Sequence, residues 1–338
     1  MEKYLDSEQV FISLLSGYNT YTDTGDTAAT ITGETQKVIR HNRTRELYFA
    51  VPISTPKNLI KNTWFIDKWR RLIEHPCNSC FIWPVDFIRK EVTLPESYLV
   101  YEFKPRHNYK SLAALSKEGG FLGVENPELR SFALSFAGAY ESVCDRDYLL
   151  FGIDDDSLFV DLDNYSLLIQ MNEDMTIGRK SEITFTEDTY FSEVLDPFRY
   201  ERRQRNKSGA EVYSYDMISE SYAFVSILFR LLIGLYPYEG PGMDEYEYNI
   251  SSSDNKDWIY RYVQNPVFIF DENDKSNSID MYKKNEINIE RWSRLGPELR
   301  RMFTETLVHD NVMRTGRVAY YSAAQWKAAL ENSFAALS

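Results

Sequence analysis

The sequence predicts an α+β fold in which a small β-rich N-lobe, residues 1–103, is followed by a larger helical C-lobe, residues 104–338. Strand-like apolar runs dominate the first part, and helical patterns of apolar residues dominate the second. A short polar link near residues 103–108 separates the two parts. The 43% hydrophobic and 26% charged fractions are typical of a folded globular chain, so the elements have enough apolar surface to build a core.

The N-lobe is predicted to contain several strands and one helix. Residues 1–45 are polar and rich in Thr and Gly, which favours hairpins and loops. Apolar residues at helical spacing predict a helix over about residues 61–75, and Pro76 ends it. Three apolar runs predict β-strands, at 46–53, 81–88 and 97–103.

The C-lobe is predicted to be mainly helical. An amphipathic stripe predicts a helix over residues 127–143, and residues 222–235 are apolar on nearly every side, which is typical of a fully buried helix. Two short apolar runs, 157–160 and 165–171, flank a turn and predict a β-hairpin. The long polar stretch 172–218 has no predicted element. Closing helices are predicted at 297–309 and 323–330.

The charge balance limits the partners that the chain is expected to bind. It has 38 basic and 51 acidic residues, a net charge of −13 at pH 7. Nucleic acids and anionic membranes are negatively charged, so neither is an expected partner. Residues 222–235 are too short and too polar to span a bilayer, and the N-terminus has no secretory pattern.

The cysteines favour a reducing compartment. Cys77, Cys80 and Cys144 are too few, and odd in number, for a disulfide framework, so a cytoplasmic location is expected. Cys77 and Cys80 have C-x-x-C spacing beside His75, but a zinc site needs a second pair and only Cys144 remains. We therefore expect a reduced turn between a helix and a strand.

Four stretches, in order, carry a family pattern. They are Trp83-Pro84-Val85-Asp86 after the first helix, residues 98–103, residues 148–161, and residues 219–240. The first resembles the αC-to-β4 region of a bacterial kinase-like family, and the second resembles strand β5 entering the hinge. The third resembles the catalytic loop with its following strand, and the fourth resembles helix αF with the turn after it. The resemblance covers roughly residues 45–332 and implies a two-lobed, protein-kinase-like fold.

Two positions of the N-lobe lack the groups that a kinase uses to hold phosphates. A kinase needs a Gly-rich loop over the phosphates and a β3 Lys that holds them. The first 45 residues contain no G-x-G-x-x-G, and Pro52 stands where the Lys of A-x-K is expected, after Ala50-Val51. Proline has neither a charge nor an N–H donor, so it cannot bind a phosphate.

The matched positions of the C-lobe also lack the catalytic groups. The match puts Gly152 at the position of the catalytic Asp, Ser157 at the position of the metal-binding Asn, and Glu220 at the position of the structural Asp of αF. The D-F-G triplet, whose Asp holds magnesium, is replaced by a set without a carboxylate: Gln170, Met171 and Asn172.

The joint loss of these groups predicts a catalytically inactive pseudokinase that acts as a protein-interaction, scaffold or regulatory module. No catalytic residue and no cofactor are then expected, although the fold itself would accept ATP with magnesium. The resemblance further implies a bacterial or phage origin and a protein partner of the phosphatase or von Willebrand type. The sequence does not name that partner.

An acidic cluster supports an alternative interpretation. Asp154, Asp155 and Asp156 offer the clustered carboxylates that hard cations prefer, as in an unconventional phosphoryl or nucleotidyl transferase. The cluster lacks the spacing of an EF-hand and its terminal Glu, so a solvated acidic loop is the preferred interpretation. Asp145-Arg146-Asp147 imitates the H-R-D triplet, but the following strand comes too late for this match.

A basic stretch lies where a kinase has its activation segment. It provides interaction candidates for an acidic or phosphorylated partner, and it is also the basis of a second alternative, a nucleic-acid-associated module. A solvated loop is an equally good interpretation. The basic residues are Arg199, Arg202, Arg203, Arg205 and Lys207.

Overall fold

The structure is a computed structural model of the 338-residue chain. It describes the following residues: 10–54, 62–90, 96–104, 108–151, 153–171, 175–178, 180–184, 204–205, 207, 209, 211–241, 266–279, 285–308 and 321–337.

The N-terminal part consists mostly of strands with one helix among them, as predicted. The helix is α1 (Thr63–Glu74). The strands are β1 (Val10–Ser13), β2 (Thr20–Ala29), β3 (Thr35–His41), β4 (Leu47–Ile53), β5 (Phe81–Ile82), β6 (Asp86–Lys90) and β7 (Ser97–Glu102).

The C-terminal part carries most of the helices together with short strands. Its helices are α2 (Leu112–Glu118), α3 (Pro127–Cys144), α4 (Met217–Ile233), α5 (Glu286–Arg294), α6 (Pro297–Leu307) and α7 (Ala323–Ala335). Its strands are β8 (Tyr109–Ser111), β9 (Tyr148–Leu149), β10 (Leu158–Asp161), β11 (Leu167–Gln170), β12 (Thr176–Ile177), β13 (Lys180–Thr184), β14 (Gln204–Arg205) and β15 (Glu211–Asp216).

Six N-terminal strands form a closed barrel in the order β1-β2-β3-β4-β7-β6. Strand β1 closes it, because it pairs antiparallel with both β2 and β6. The hairpin expected within residues 1–45 is present as the antiparallel pair β2–β3. The barrel interior is a small apolar core built from Phe11, Tyr21, Ile39, Ala50, Ile88, Tyr98 and Val100.

Asp86 of the Trp-Pro-x-Asp motif holds this closure together. Its side chain is buried, and its two oxygens accept hydrogen bonds from the Ser13 hydroxyl (2.7 Å) and the Tyr21 hydroxyl (2.9 Å). Ser13 lies on β1 and Tyr21 on β2, so the carboxylate connects three strands. A buried carboxylate needs such donors to offset its lost hydration.

The strand predicted over 81–88 is divided into β5 and β6. Pro84 lies in the gap, where its missing N–H cannot join a ladder. Trp83, also in the gap, donates its indole N–H to the Leu72 carbonyl at the end of α1 (2.8 Å). The motif therefore stops a strand and caps a helix.

The buried residues of α1 are among the apolar residues whose spacing predicted this helix. Phe65, Trp69 and Leu72 are buried and belong to the main core, together with Phe87 of β6 and Leu99 of β7. The same core continues into the helices of the C-terminal part.

Helix α4 is buried on nearly every side, as predicted, although it starts five residues earlier than the apolar run. The Asp216 side chain caps its N-terminus by accepting from the Ile218 and Ser219 amides. Gly234 ends it in the left-handed conformation (φ 92°), which favours glycine. No helix among the described residues combines the length and apolar character needed to cross a membrane.

Short sheets frame the loop between β9 and β10. The predicted hairpin is confirmed as β10–β11, and β5 pairs parallel with β11. Strand β9 pairs with β12. Within the polar stretch 172–218, where no element was predicted, β13, β15 and β14 form an antiparallel sheet that leads into α4.

Candidate functional site

The two faces of strand β4 carry different residues. Ala50 lines the barrel core, so Phe49, Val51 and Ile53 point to the opposite face because side chains alternate along a strand. On the neighbouring strand β7, Leu99 is opposite Val51 in register and packs in the core that contains α1. The face that carries Val51 is therefore the face toward α1.

Pro52 lies on the face away from α1. It shares the face of Ala50, is exposed, and is opposite Tyr98 in register. A kinase β3 Lys pairs with a Glu of helix αC, so it must lie on the face toward that helix. The match of Ala50-Val51-Pro52 to A-x-K stays a prediction from the sequence, and the residue of this triplet on the face toward α1 is Val51.

The face toward α1 lacks both partners of that ion pair. Strand β4 presents Phe49, Val51 and Ile53 there, and the residues that α1 turns inward are aromatic and aliphatic. Phe49 is 3% exposed, and its ring packs against that of Phe103, with centroids 4.8 Å apart. Val38 of β3, also buried, is opposite Phe49 in register. This face of β4 is apolar, with Phe49 buried and Val51 and Ile53 half-buried.

The loop that follows β9 is anchored by Glu220. The backbone N–H of Leu150 donates to Glu220 Oε2 (2.9 Å). Burial raises the pKa of Glu220 to about 7, and the hydrogen bond from the Leu150 backbone N–H opposes that rise. Gly152, the predicted position of the catalytic Asp, lies outside the described residues.

The structure brings Ser157 and Gln170 together. The backbone N–H of Gln170, at the end of β11, donates to the backbone carbonyl of Ser157, which directly precedes β10 (2.9 Å). The Ser157 hydroxyl donates to Asp154 Oδ1 (2.7 Å). A hydroxyl and a neutral amide are weak ligands for magnesium compared with carboxylates. Met171 is buried, and Asn172 lies outside the described residues.

The three aspartates of the acidic cluster point to different partners. Asp154 Oδ1 accepts from the Asp156 amide (3.1 Å) and from the Ser157 amide (2.9 Å) and hydroxyl, so it closes a local turn. Asp155 is buried and forms an ion pair with Arg230 of α4, while Asp156 is exposed. Across the described parts of the chain, no three His, Cys, Asp or Glu side chains converge as a metal site.

The environment of Asp155 is that of a structural ion pair. Burial raises the pKa of Asp155, and the Arg230 guanidinium beside it opposes that rise. Arg230 also lies 3.6 Å from a Glu239 carboxylate oxygen and stacks over the Tyr236 ring, 4.4 Å from its centroid. The pair connects the 150–157 loop to helix α4 and the turn that follows it.

Only part of the basic stretch is described. Arg205 lies on β14 and Lys207 follows it, and both are exposed. Within the sheet order β13-β15-β14, Arg205 is opposite Glu211 in register. Arg199, Arg202 and Arg203 lie outside the described residues.

The cysteines and the Asp145-Arg146-Asp147 triplet carry no sign of chemistry. Burial raises the pKa of Cys77 to about 11 and that of Cys144 to about 12, so neither is a ready thiolate. All three cysteines are free. The triplet precedes β9, whereas the loop that the sequence match compares with a catalytic loop follows β9.

The fold matches a solved protein-kinase structure. The autoinhibited serine kinase domain of the giant muscle protein titin aligns with 93% of this chain and 79% of its own, with a TM-score of 0.55 and 10% sequence identity. No protein-family model matches the chain, and no curated protein matches it in sequence. The chain therefore has a protein-kinase-like fold, and at this identity the likeness concerns the fold alone.

Proposed function

We propose that this chain is a two-lobed, protein-kinase-like domain that does not transfer phosphate and that works in the cytoplasm as a protein-interaction or scaffold module. The observation that carries the proposal is the apolar face of β4. Phe49, Val51 and Ile53 occupy the side on which a kinase needs a Lys, and α1 turns Phe65 and Trp69 toward the core.

Phosphoryl transfer depends on charges that these positions do not supply. A kinase combines the Lys–Glu pair, magnesium on an Asp and an Asn, and a catalytic Asp. Removing even one preorganised group of this kind costs an enzyme about 10²–10³-fold in rate. Here an apolar face and the neutral pair Ser157 and Gln170 stand in those places.

The local charge also opposes a triphosphate. Asp154 and Asp156 lie in the loop between β9 and β10, and the chain as a whole carries a net charge of −13. A nucleotide triphosphate is a polyanion, so it would meet repulsion rather than the positive groups that normally hold it.

The alternative of an unconventional transferase is less well supported. Such an enzyme would need the aspartates of residues 154–156 to converge on a metal ion. Asp154 instead closes a turn, and Asp155 pairs with Arg230. The carboxylates of Asp154 and Asp155 therefore already have separate structural partners, and Asp156 is exposed.

A protein is the kind of partner that this proposal requires. The basic stretch 199–207 would bind an acidic or phosphorylated segment through charge-assisted hydrogen bonds. Of its basic residues, Arg205 and Lys207 are described and both are exposed. Nucleic acid, the second alternative, is disfavoured by the net charge of −13. A steep fall of oligonucleotide binding with salt, abolished by Arg202→Glu with Arg203→Glu, would support that alternative instead.

The first experiment is a thermal-shift titration with ATP and ADP, with and without Mg²⁺ or Mn²⁺. A ligand at about 100 times its Kd stabilises the folded state by about 2.7 kcal/mol. For a chain of this length that amounts to about 4 °C. We expect a shift below about 0.5 °C at millimolar nucleotide, with an active kinase domain in the same buffer as the positive control.

A metal-dependent shift of several degrees would contradict the expected lack of nucleotide binding. The same samples are then assayed for transfer of labelled γ-phosphate to the chain and to a generic protein substrate. Transfer above the rate of a boiled control would assign the chain to the transferases. A shift without transfer would keep the scaffold role but add nucleotide as a ligand.

A further inference from the structure

Two turns lie side by side at one end of the barrel. One consists of residues 14–19, between β1 and β2, and the other of residues 42–46, between β3 and β4. The backbone N–H of Asn42 donates to the Thr20 carbonyl (2.9 Å), and the Asn42 side chain forms hydrogen bonds with the hydroxyls of Thr20 and Thr22. The two turns are therefore joined, and their outer side chains form one surface.

Three exposed arginines and two exposed apolar side chains share this surface. Arg43 and Arg45 lie on the second turn, and Arg40 lies on β3, opposite Leu47 of β4 in register. Tyr18 lies on the first turn and is 93% exposed. Within the described parts of the chain, none of these arginines forms an ion pair or a side-chain hydrogen bond. We call the surface formed by these residues the basic tip.

The exposed acidic groups at this end of the barrel already have partners. The Glu46 carboxylate accepts hydrogen bonds from the hydroxyls of Thr44 and Tyr48, both at 2.9 Å. Glu102, opposite Tyr48 in register, pairs with Lys104 (3.0 Å). The described residues at this end therefore carry an excess of positive charge, although the chain as a whole carries −13.

The backbone of the second turn is fixed, and it holds an arginine where glycine is favoured. The backbone N–H of Arg45 donates to the His41 carbonyl (2.9 Å), and the Thr44 N–H donates to Nδ1 of the buried His41 ring (3.0 Å). Arg45 has a φ of 67°, a left-handed conformation that Gly or Asn adopts at lower cost. The turn does not require this arginine, so its side chain is better explained by a contact outside the fold.

We propose that the basic tip is a docking surface for an acidic segment of a partner protein. The planar guanidinium groups would bind Asp or Glu carboxylates through paired hydrogen bonds, and an apolar side chain of the segment would pack on Tyr18 and Leu47. Arg and Tyr are among the residue types that most often anchor protein interfaces. Because the turn is already fixed, binding would order little backbone.

The inference rests on the proposed function only for the class of partner. It assigns a contact to the barrel, whereas the proposed function places one in the basic stretch 199–207. It does not depend on the absence of phosphoryl transfer, so the nucleotide titration and the binding test described next can fail separately.

Fluorescence anisotropy with the whole chain tests the docking surface. The probe is a fluorescein-labelled peptide of Asp and Glu around one central Leu, and the control peptide has Asn and Gln in place of the acids. At low salt we expect the acidic peptide to bind about tenfold more tightly than the control peptide. Most of this difference should disappear at about 1 M salt, where charges are screened beyond about 3 Å.

Three variants locate the contact. Arg43→Glu with Arg45→Glu should weaken binding of the acidic peptide about tenfold. Arg71→Glu with Lys117→Glu changes the net charge equally at exposed positions outside the basic tip and should change the affinity by less than about twofold. Arg45→Gly suits the left-handed backbone, so Tm should stay the same or rise while the affinity falls about threefold.

Several results would overturn the inference. They are equal affinities of the wild type for the two peptides, an unchanged affinity in Arg43→Glu with Arg45→Glu, or an equal loss in the matched control. A loss confined to Arg202→Glu with Arg203→Glu would move the acidic contact to residues 199–207 and keep the proposed function. Tighter binding of a labelled oligonucleotide than of the acidic peptide, lost in the Arg43 and Arg45 variant, would assign the basic tip to nucleic acid instead.

Discussion

Replacing Asp155 by Asn tests whether the acidic cluster is structural. Asp155 is 7% exposed and forms an ion pair with Arg230 of α4. Removing one partner of a buried pair costs about 3–5 kcal/mol, because the other charge stays buried. In this variant the Arg230 guanidinium still interacts with Glu239 at 3.6 Å and with the Tyr236 ring. We therefore expect the free energy of unfolding to fall by an amount near the lower limit, about 3 kcal/mol.

That loss is large enough to measure by thermal unfolding. For a chain of 338 residues the entropy of unfolding is about 0.7 kcal/mol/K, so a loss of about 3 kcal/mol lowers Tm by about 4 °C. Asp156→Asn is the matched control, since Asp156 is the exposed neighbour and should change Tm by less than 1 °C. In a double-mutant cycle, the variant that carries both Asp155→Asn and Arg230→Met should lose much less stability than the sum of the losses in the two single variants.

The opposite results would refute this reasoning. A Tm change below 1 °C for Asp155→Asn, or additive costs in the cycle, would mean that the pair contributes little. If Asp155→Asn left stability unchanged but abolished a Mg²⁺- or Mn²⁺-dependent thermal shift of the wild type, the carboxylate would be a metal ligand. That outcome would favour the unconventional transferase.

The remaining predictions concern the barrel, a glycine and pH. Tyr21→Phe removes a hydrogen bond to the buried Asp86 and should cost about 2 kcal/mol in chemical denaturation, while Tyr18→Phe, at a side chain that is 93% exposed, should cost almost nothing. Gly234→Ala should cost more than 1 kcal/mol, because φ is 92° and a Cβ would lie 2.6 Å from Arg291 Nη1; a neutral effect would show that Arg291 moves freely. Glu220 should contribute stability that is complete below about pH 4.5 and falls by about 3 kcal/mol as pH rises to about 7; Glu220→Gln should remove that slope.

Local patterns predicted the elements whose periodicity is strong. The helix over 61–75 is confirmed as α1, the apolar run 222–235 as the buried α4, and the two short runs after 157 as the hairpin β10–β11. In each case the pattern of buried and exposed residues lies within one element or one tight turn.

Pairing between distant segments could not be predicted in the same way. Strand β1 has only four residues and takes part in the barrel through partners at 20–22 and 88–90, which no local pattern reveals. The strands of the stretch 172–218 were missed because polar residues hide their alternation. The face on which β4 carries each side chain could not be predicted either, since a one-residue difference in register reverses every side chain of a strand.

Glu220 shows that a substituted motif residue can keep the hydrogen-bonding role of the residue it replaces. The sequence places it where αF of a kinase begins with Asp, and by composition alone it counts as a departure from the pattern. In the structure its carboxyl group accepts a hydrogen bond from the backbone N–H of Leu150. A longer acid can still serve as an acceptor for backbone N–H groups, whereas an apolar residue at the Lys position cannot bind a phosphate.

The contacts that hold the loop after β9 differ from those of a phosphate site. Two contacts hold the loop after β9: the Leu150 backbone N–H donates to the buried Glu220 carboxyl group, and Asp155 forms an ion pair with Arg230. These contacts fix the conformation of the loop, but they provide no positive group that would bind a phosphate. Together with the apolar face of β4, this loop agrees with the proposed role as a surface for a protein partner, which the nucleotide titration tests.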